Sequence, residues 1–296
     1  MTQAPRITQP VHVPGPSGPW DEVATAMDRC GSAVVFTTWG EWLSAVVTEP
    51  RLRLLLGRDW PRYRRTADPL VRHRFAAARL VLKYTAAAAL GTDAAGLDLA
   101  YKIGGRPHLR GIRQVDVALS HTDELIVVGI SRGGRIGVDA EPLTRTLTYD
   151  VMRERMCTPA ERAALNGLDG PARTAALLRL WTLKEAYTKA LGQGLRLDFT
   201  EFGFPAGAEG EFTAHDGAGL LAPDGSPAAP DTWSLGTYRT MERYLVAVAR
   251  YATGPAAVPG GADRPVADER SMSLVAQLLP RHTDAAGPHQ PRSGAA

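Results

Sequence analysis

The sequence predicts an α+β protein made of two halves of similar plan, and three observations carry that reading. Two long helical stretches recur, each with a start signal at its head and a glycine stop at its end. Between them lie three short apolar strands, "QVDVALS", "LIVVGIS" and "RIGVDAE", joined by the turns "HTDE" and "RGG". Further strand candidates, "GEFTAH", "TWSLGTY" and "YLVAVARYA", follow the second helix. At 296 residues the chain is long enough to bury a real core without staples.

The elements follow in order. Residues 1–18 are rich in proline and are expected to be disordered. Asp68-Pro69 opens the first long helix, with proline in the first turn and Gly91 as the stop. The three central strands are expected to form an antiparallel meander, because their connections are short. "TPAE", Thr158 to Glu161, has capping-box spacing, which explains Glu161 without a catalytic role. The second long helix carries "WTLKEAYTKALGQGL" and stops at Gly192; Leu183, Ala186, Tyr187 and Ala190 form its buried stripe. From 253 to 296 the composition again predicts disorder, apart from a short amphipathic candidate, "DERSMSLVAQLL".

Composition excludes several classes. Cys30 and Cys157 have no CxxC spacing, so neither a disulfide framework nor a zinc site is indicated. The apolar runs are far shorter than the roughly 20 residues of a membrane span, and no secretory pattern opens the chain, so the expected setting is cytoplasmic, with no membrane partner. Net charge is only +3, but residues 51–79 hold Arg51, Arg53, Arg58, Arg62, Arg64, Arg65, Arg72, Arg74 and Arg79 against Asp59 and Asp68. That patch suits phosphates or an acidic partner, or is a solvated helix face.

Chemistry concentrates at three places. Asp139 and Glu141, at i and i+2 of one strand, share a face and repel, a conflict relieved by a cation or by a raised pKa; a solvated turn before Pro142 is the plain alternative. Glu185 is a third carboxylate, flanked by Lys184 and Lys189, and Glu185 with Lys189 at i+4 also reads as a simple surface pair. Trp181 beside them is unexplained by that pair. Few oxygen ligands with nearby cations suit magnesium shared with a pyrophosphate. Gly105, Arg106 and Pro107 form a turn with a fixed cation, and Ser120-His121 closes a strand. Adjacent strand residues face opposite ways and no GxSxG elbow exists, which disfavours a hydrolase; neither a Walker A sequence nor a complete GxGxxG is present.

In this order and spacing "GRP", "ALSHT", "IGVDAE" and "WTLKEAYTKALGQGL" resemble the 4'-phosphopantetheinyl transferases of the surfactin-synthetase-activating type, W/KEA branch, over about residues 50–250. The resemblance implies two pseudo-symmetric α+β halves with coenzyme A bound between them. It implies Mg2+-dependent transfer of phosphopantetheine to a serine of an apo acyl or peptidyl carrier protein, with release of adenosine 3',5'-bisphosphate. By the same resemblance Asp139, Glu141 and Glu185 hold the metal, Glu185 is the base, and Asp139 and Lys189 complete the catalytic set. Lys184 and Lys189 fall near the pyrophosphate, Ser120 and His121 at the coenzyme's phosphates, and Arg74, Gly105, Arg106 and Pro107 at the nucleotide end. Arg106 replaces a lysine of the family, and Arg58 and Arg62 are candidates for the 3'-phosphate. Trp181 is expected to pack beneath the Glu185 and Lys189 face where the halves meet. The implied layout is an N-terminal half at 19–135 on the nucleotide side and a C-terminal half at 136–252 on the metal side, in a monomer that binds no nucleic acid. A nucleic-acid module built on the arginines and another magnesium-dependent phosphotransferase are the rival readings.

Overall fold

The computed structural model describes residues 7–193, 197–206, 220–229 and 233–252. The candidates "GEFTAH" and "DERSMSLVAQLL" and the tail 253–296 lie outside the described residues. The first half comprises β1 (Val11–His12), α1 (Trp20–Cys30), β2 (Ser32–Thr38), α2 (Leu43–Thr48), α3 (Leu52–Leu56), α4 (Trp60–Arg65), α5 (Pro69–Leu90), β3 (Leu99–Tyr101), β4 (Pro107–Leu109), β5 (Val115–Thr122) and β6 (Leu125–Arg132). The second comprises β7 (Gly134–Pro142), α6 (Tyr149–Met156), α7 (Pro159–Asn166), α8 (Gly170–Leu191), β8 (Leu220–Leu221), β9 (Pro227–Ala229), β10 (Trp233–Thr240) and β11 (Tyr244–Ala252).

The repeated plan is visible in the topology. In the first half β2 leads to the long helix α5 and then to the hairpin β5–β6, and β6 lies between β2 and β5 in the sheet. In the second, β7 leads to α8 and then to the hairpin β10–β11, and β11 lies between β7 and β10. Both helices are 22 residues long, open on an aspartate cap with proline in the first turn, and close on a left-handed glycine. Asp68 accepts from the backbone N–H of Leu70 and Val71, and Asp169 from that of Ala172, each cap supplying about 1 kcal/mol.

Two expectations are corrected. β7 does not extend the β5–β6 hairpin into a meander; the inner edge of β6 is already taken by β2, so β7 crosses to the second sheet and pairs antiparallel with β11. The proline-rich N-terminal segment also carries structure: β1 pairs parallel with β2, Val13 is wholly buried, and Trp42 Nε1 donates to Val13 O at 3.0 Å. Valines at alternate positions supply the packing that the prolines around them obscured.

The layers run helix, sheet, sheet, helix. Val35, Val117, Val128 and Ile130 of the first sheet pack on α1 and α5. The opposite face meets the second sheet in a middle layer that includes Val34, Ala118, Val127, Ile136, Val138, Val246 and Val248. The outer face of the second sheet carries Gly137, Asp139 and Glu141 beneath α8, in register with Ala249, Ala247 and Leu245 of β11. A Cβ at Gly137 would lie 1.9 Å from Ala186 O and 2.5 Å from Ala190 N, so α8 rests directly on the strand at this residue. No described helix is long and apolar enough to cross a membrane.

Candidate functional site

The close seating at Gly137 brings the next two residues of that face under the polar side of α8. Asp139, 5% exposed, accepts at Oδ1 from Ser120 Oγ at 3.0 Å and from the Lys189 ammonium. Lys189 Nζ also donates to Ser120 Oγ at 3.3 Å. The second oxygen, Asp139 Oδ2, is buried and has no hydrogen-bond partner. Glu141, equally buried, accepts at Oε1 from Trp181 Nε1 at 3.1 Å and from the Arg145 guanidinium. Trp181 thus sits on the charged face because its indole N–H serves a carboxylate, while its ring packs on Phe199 and under Arg145.

The electrostatics follow from crowding. Burial pushes the Glu185 pKa up to about 7, Asp139 and Glu141 push it the same way, and Lys189 and Arg145 only partly offset them. Glu141 is raised first by burial and next by Asp139, against Arg145 and Trp181. Burial works against the Lys189 ammonium, yet Asp139, Glu185 and Glu141 outweigh it and raise its pKa. The three acids therefore interact, as their sequence positions suggested.

Ser120 and His121 point to opposite faces of β5, as strand geometry requires. Ser120 reaches Asp139, and His121 opens onto a cavity of about 350 Å³ lined also by Trp39, Arg62, Arg74, Phe75 and Arg79. Two guanidiniums contact the Phe75 ring, Arg62 at 4.7 Å and Arg79 at 4.3 Å, and Arg74 covers Trp39 at 5.4 Å. Burial, then Arg79, Lys189 and Arg74, lower the His121 pKa. One strand end thus joins a cationic cavity to an acidic cluster.

Several assignments are corrected. Lys184 does not face the site: it is wholly buried, and its three donors go to Glu161 Oε2 at 2.8 Å, Phe199 O at 2.5 Å and Phe202 O at 2.7 Å. One step along a helix rotates a side chain about 100°, which separates it from Glu185. Arg106 braces the halves instead of facing the cavity, with Nη2 donating to Asp116 and to Ile136 O at 2.9 Å. Gly105 and Pro107 belong to the β3–β4 hairpin, away from the cavity lining. Arg58 pairs with Asp98 at 3.6 Å, whereas Arg62 does line the cavity. Among the described residues no group of three or more His, Cys, Asp or Glu side chains is arranged to hold a metal ion. Arg79 was named only as part of the arginine patch and Arg145 not at all; Arg79 shares a helical stripe with Arg74, Phe75 and Ala78 and its place was readable from that, whereas the Arg145 contact crosses Pro142 and was not.

Fold and site together define a class, a two-half α+β protein with an acidic cluster, an interposed lysine and an adjoining cationic cavity, suited to phosphate chemistry. Residues 135–249 match the family described as the 4'-phosphopantetheinyl transferase superfamily. The chain is 31% identical over 131 residues to the 4'-phosphopantetheinyl transferase HetI of a Nostoc species, covering 43% of this chain and 55% of that protein. It is 26% identical over 176 residues to a 4'-phosphopantetheinyl transferase of Bacillus subtilis, covering 60% and 73%. A Synechocystis relative is 32% identical over 144 residues, and the chain spans 58% of its length. A holo-(acyl-carrier-protein) synthase structure from Bacillus anthracis, in complex with CoA (3',5'-ADP), overlaps 40% of this chain and 96% of its own at 23% identity, with a TM-score of 0.31, too loose to bear on the chemistry. The chain spans little more than half the length of the first two of these relatives, HetI and the Synechocystis protein.

Proposed function

We propose that this chain transfers 4'-phosphopantetheine from coenzyme A to a serine of an apo acyl or peptidyl carrier protein, releasing adenosine 3',5'-bisphosphate. The observation that carries the reading is Lys189 of α8 paired with Asp139 on the strand beneath it, with Glu141 two residues on and Glu185 of α8 electrostatically coupled to both, inside the stretch that matches the superfamily. In this reading the first half, 19–135, grips the nucleotide and the second, 136–252, performs the transfer, within a monomer.

The donor set fits a hard divalent cation. Its ligands are oxygens, one of them, Asp139 Oδ2, is buried and unpartnered, and magnesium commonly takes only one or two carboxylates and shares the rest of its shell with water and phosphate. Asp139 and Glu141 would ligate it, with Glu185 on α8 coupled to both, and bound there it would neutralise charge on the pyrophosphate. The chain's own residues do the rest. Lys189 adds a fixed positive charge beside Asp139, and Glu185 accepts the proton of the carrier serine. Arg62, Arg74, Arg79 and His121 receive the coenzyme's phosphates, so that binding energy at the far end of the substrate holds the reacting end in place.

The test is a mass measurement. Apo carrier protein incubated with this protein, coenzyme A and magnesium is expected to gain one phosphopantetheine. Glu185→Gln is expected to abolish the gain while the chain stays folded. An unmodified carrier with wild type overturns the reading, and near-normal modification with Glu185→Gln overturns the role of Glu185 as base.

A further inference from the structure

Asp139 and Glu141 are held in the same way. Each has two donors, and in each case both donors land on one oxygen: Ser120 and Lys189 on Asp139 Oδ1, Trp181 and Arg145 on Glu141 Oε1. Each pair joins a buried neutral donor, Ser120 or Trp181, to a partly exposed cation, Lys189 or Arg145. For Asp139 the result is an orphaned second oxygen, Oδ2. For Glu141 both hydrogen bonds also end on Oε1, while Oε2 is not one of the buried unpartnered atoms.

A carboxylate bonded through one oxygen cannot spin freely, and its other oxygen is fixed in direction. Two such carboxylates at i and i+2 of one strand therefore offer a preset pair of oxygens on the face beneath α8. The indole N–H is donor-only, so Trp181 cannot ligate a cation; its one polar act is to choose where the Glu141 carboxylate points. A buried indole N–H needs some acceptor, and a backbone carbonyl would serve packing equally well. Here the acceptor is a carboxylate of the candidate cation site.

We propose that Trp181 is a positioning residue whose indole N–H fixes Glu141 through Oε1 and thereby presents Oε2 to the divalent cation, as Ser120 presents Oδ2 of Asp139. The proposal rests on the cation reading given above. Lost outer-shell partners of this kind typically weaken metal affinity about 10- to 100-fold.

The probe is Mn2+ bound to the full chain with coenzyme A present, followed by electron paramagnetic resonance and calorimetry. Trp181→Phe keeps a ring against Phe199 and removes the N–H; Trp181→Met is a second folded candidate, and either serves. The expected result is a Mn2+ dissociation constant raised about 10-fold or more, an unfolding temperature close to wild type, and a transfer deficit that shrinks as magnesium is raised. Unchanged Mn2+ affinity in a folded variant overturns the positioning role and leaves the cation reading standing. Wild type that binds no Mn2+ overturns both.

Discussion

Arg74 and His121 show how one side chain sets the behaviour of another. With burial first and Arg79, Lys189 and Arg74 next, His121 is held below its ordinary pKa, so it is neutral at pH 7. A base whose folded pKa is lowered contributes stability in full above the unfolded value of 6.5, and that contribution is lost as pH falls through the folded pKa. Arg74→Ala removes one of the repelling cations. The expected outcome is a His121 ring titration, followed by NMR, that moves up toward 6.5, together with a weaker affinity for coenzyme A by calorimetry. A titration that stays where it was would take Arg74 out of the field around the cavity. At this scale the sequence was informative wherever function followed strand alternation, as for Ser120 against His121 and for Asp139 with Glu141. It was silent on Trp181 and Glu141, whose contact spans 40 positions and depends on how α8 is seated.

The helix α8 carries both a structural lysine and a functional one. Lys184 and Glu161 are nearly inaccessible, and Glu161 also closes the capping box of α7 and accepts from Phe204 N at 3.0 Å. Burial lowers the Lys184 pKa and raises that of Glu161, each against the pull of its partner. The capping box was legible in "TPAE", but the ion pair was not, and the pair makes Glu161→Gln a change of stability. Glutamine preserves the cap while leaving a buried ammonium without its anion. The predicted loss in urea unfolding at pH 7 is about 3–5 kcal/mol. A loss under about 1 kcal/mol would mean that Lys184 sheds its proton at little cost. The two lysines differ only in helical phase: Lys189 stands one turn beyond Glu185, whereas Lys184 is its neighbour and turns away.

At the scale of the whole molecule the two-half plan was readable from paired helix signals, but the exchange of β7 between sheets was not, because apolar strands of equal length do not name their partners. The N-terminal segment teaches the same lesson in reverse, since two valines outweigh a run of prolines. Deleting residues 1–18 is expected to lower the unfolding temperature, because it uncovers the first sheet and strips Trp42 of its acceptor, Val13 O. Burying one such valine supplies about 1.5–3 kcal/mol. Differential scanning of the truncated chain checks this, and an unchanged transition would show that the segment contributes nothing to the fold.

The middle layer has a consequence for cooperativity. Val34 and Val127 from one sheet and Ile136, Val138, Val246 and Val248 from the other complete a single apolar stratum, and the chain passes from β6 to β7 through Gly133 alone. Each half has a core against its own helices, but each leaves one sheet face for the other to cover. Pulling the halves apart would expose that stratum, so they cannot swing as independent lobes, and the geometry between the cationic cavity and the acidic cluster is as rigid as the core itself. A substrate long enough to touch both must conform to a fixed gauge.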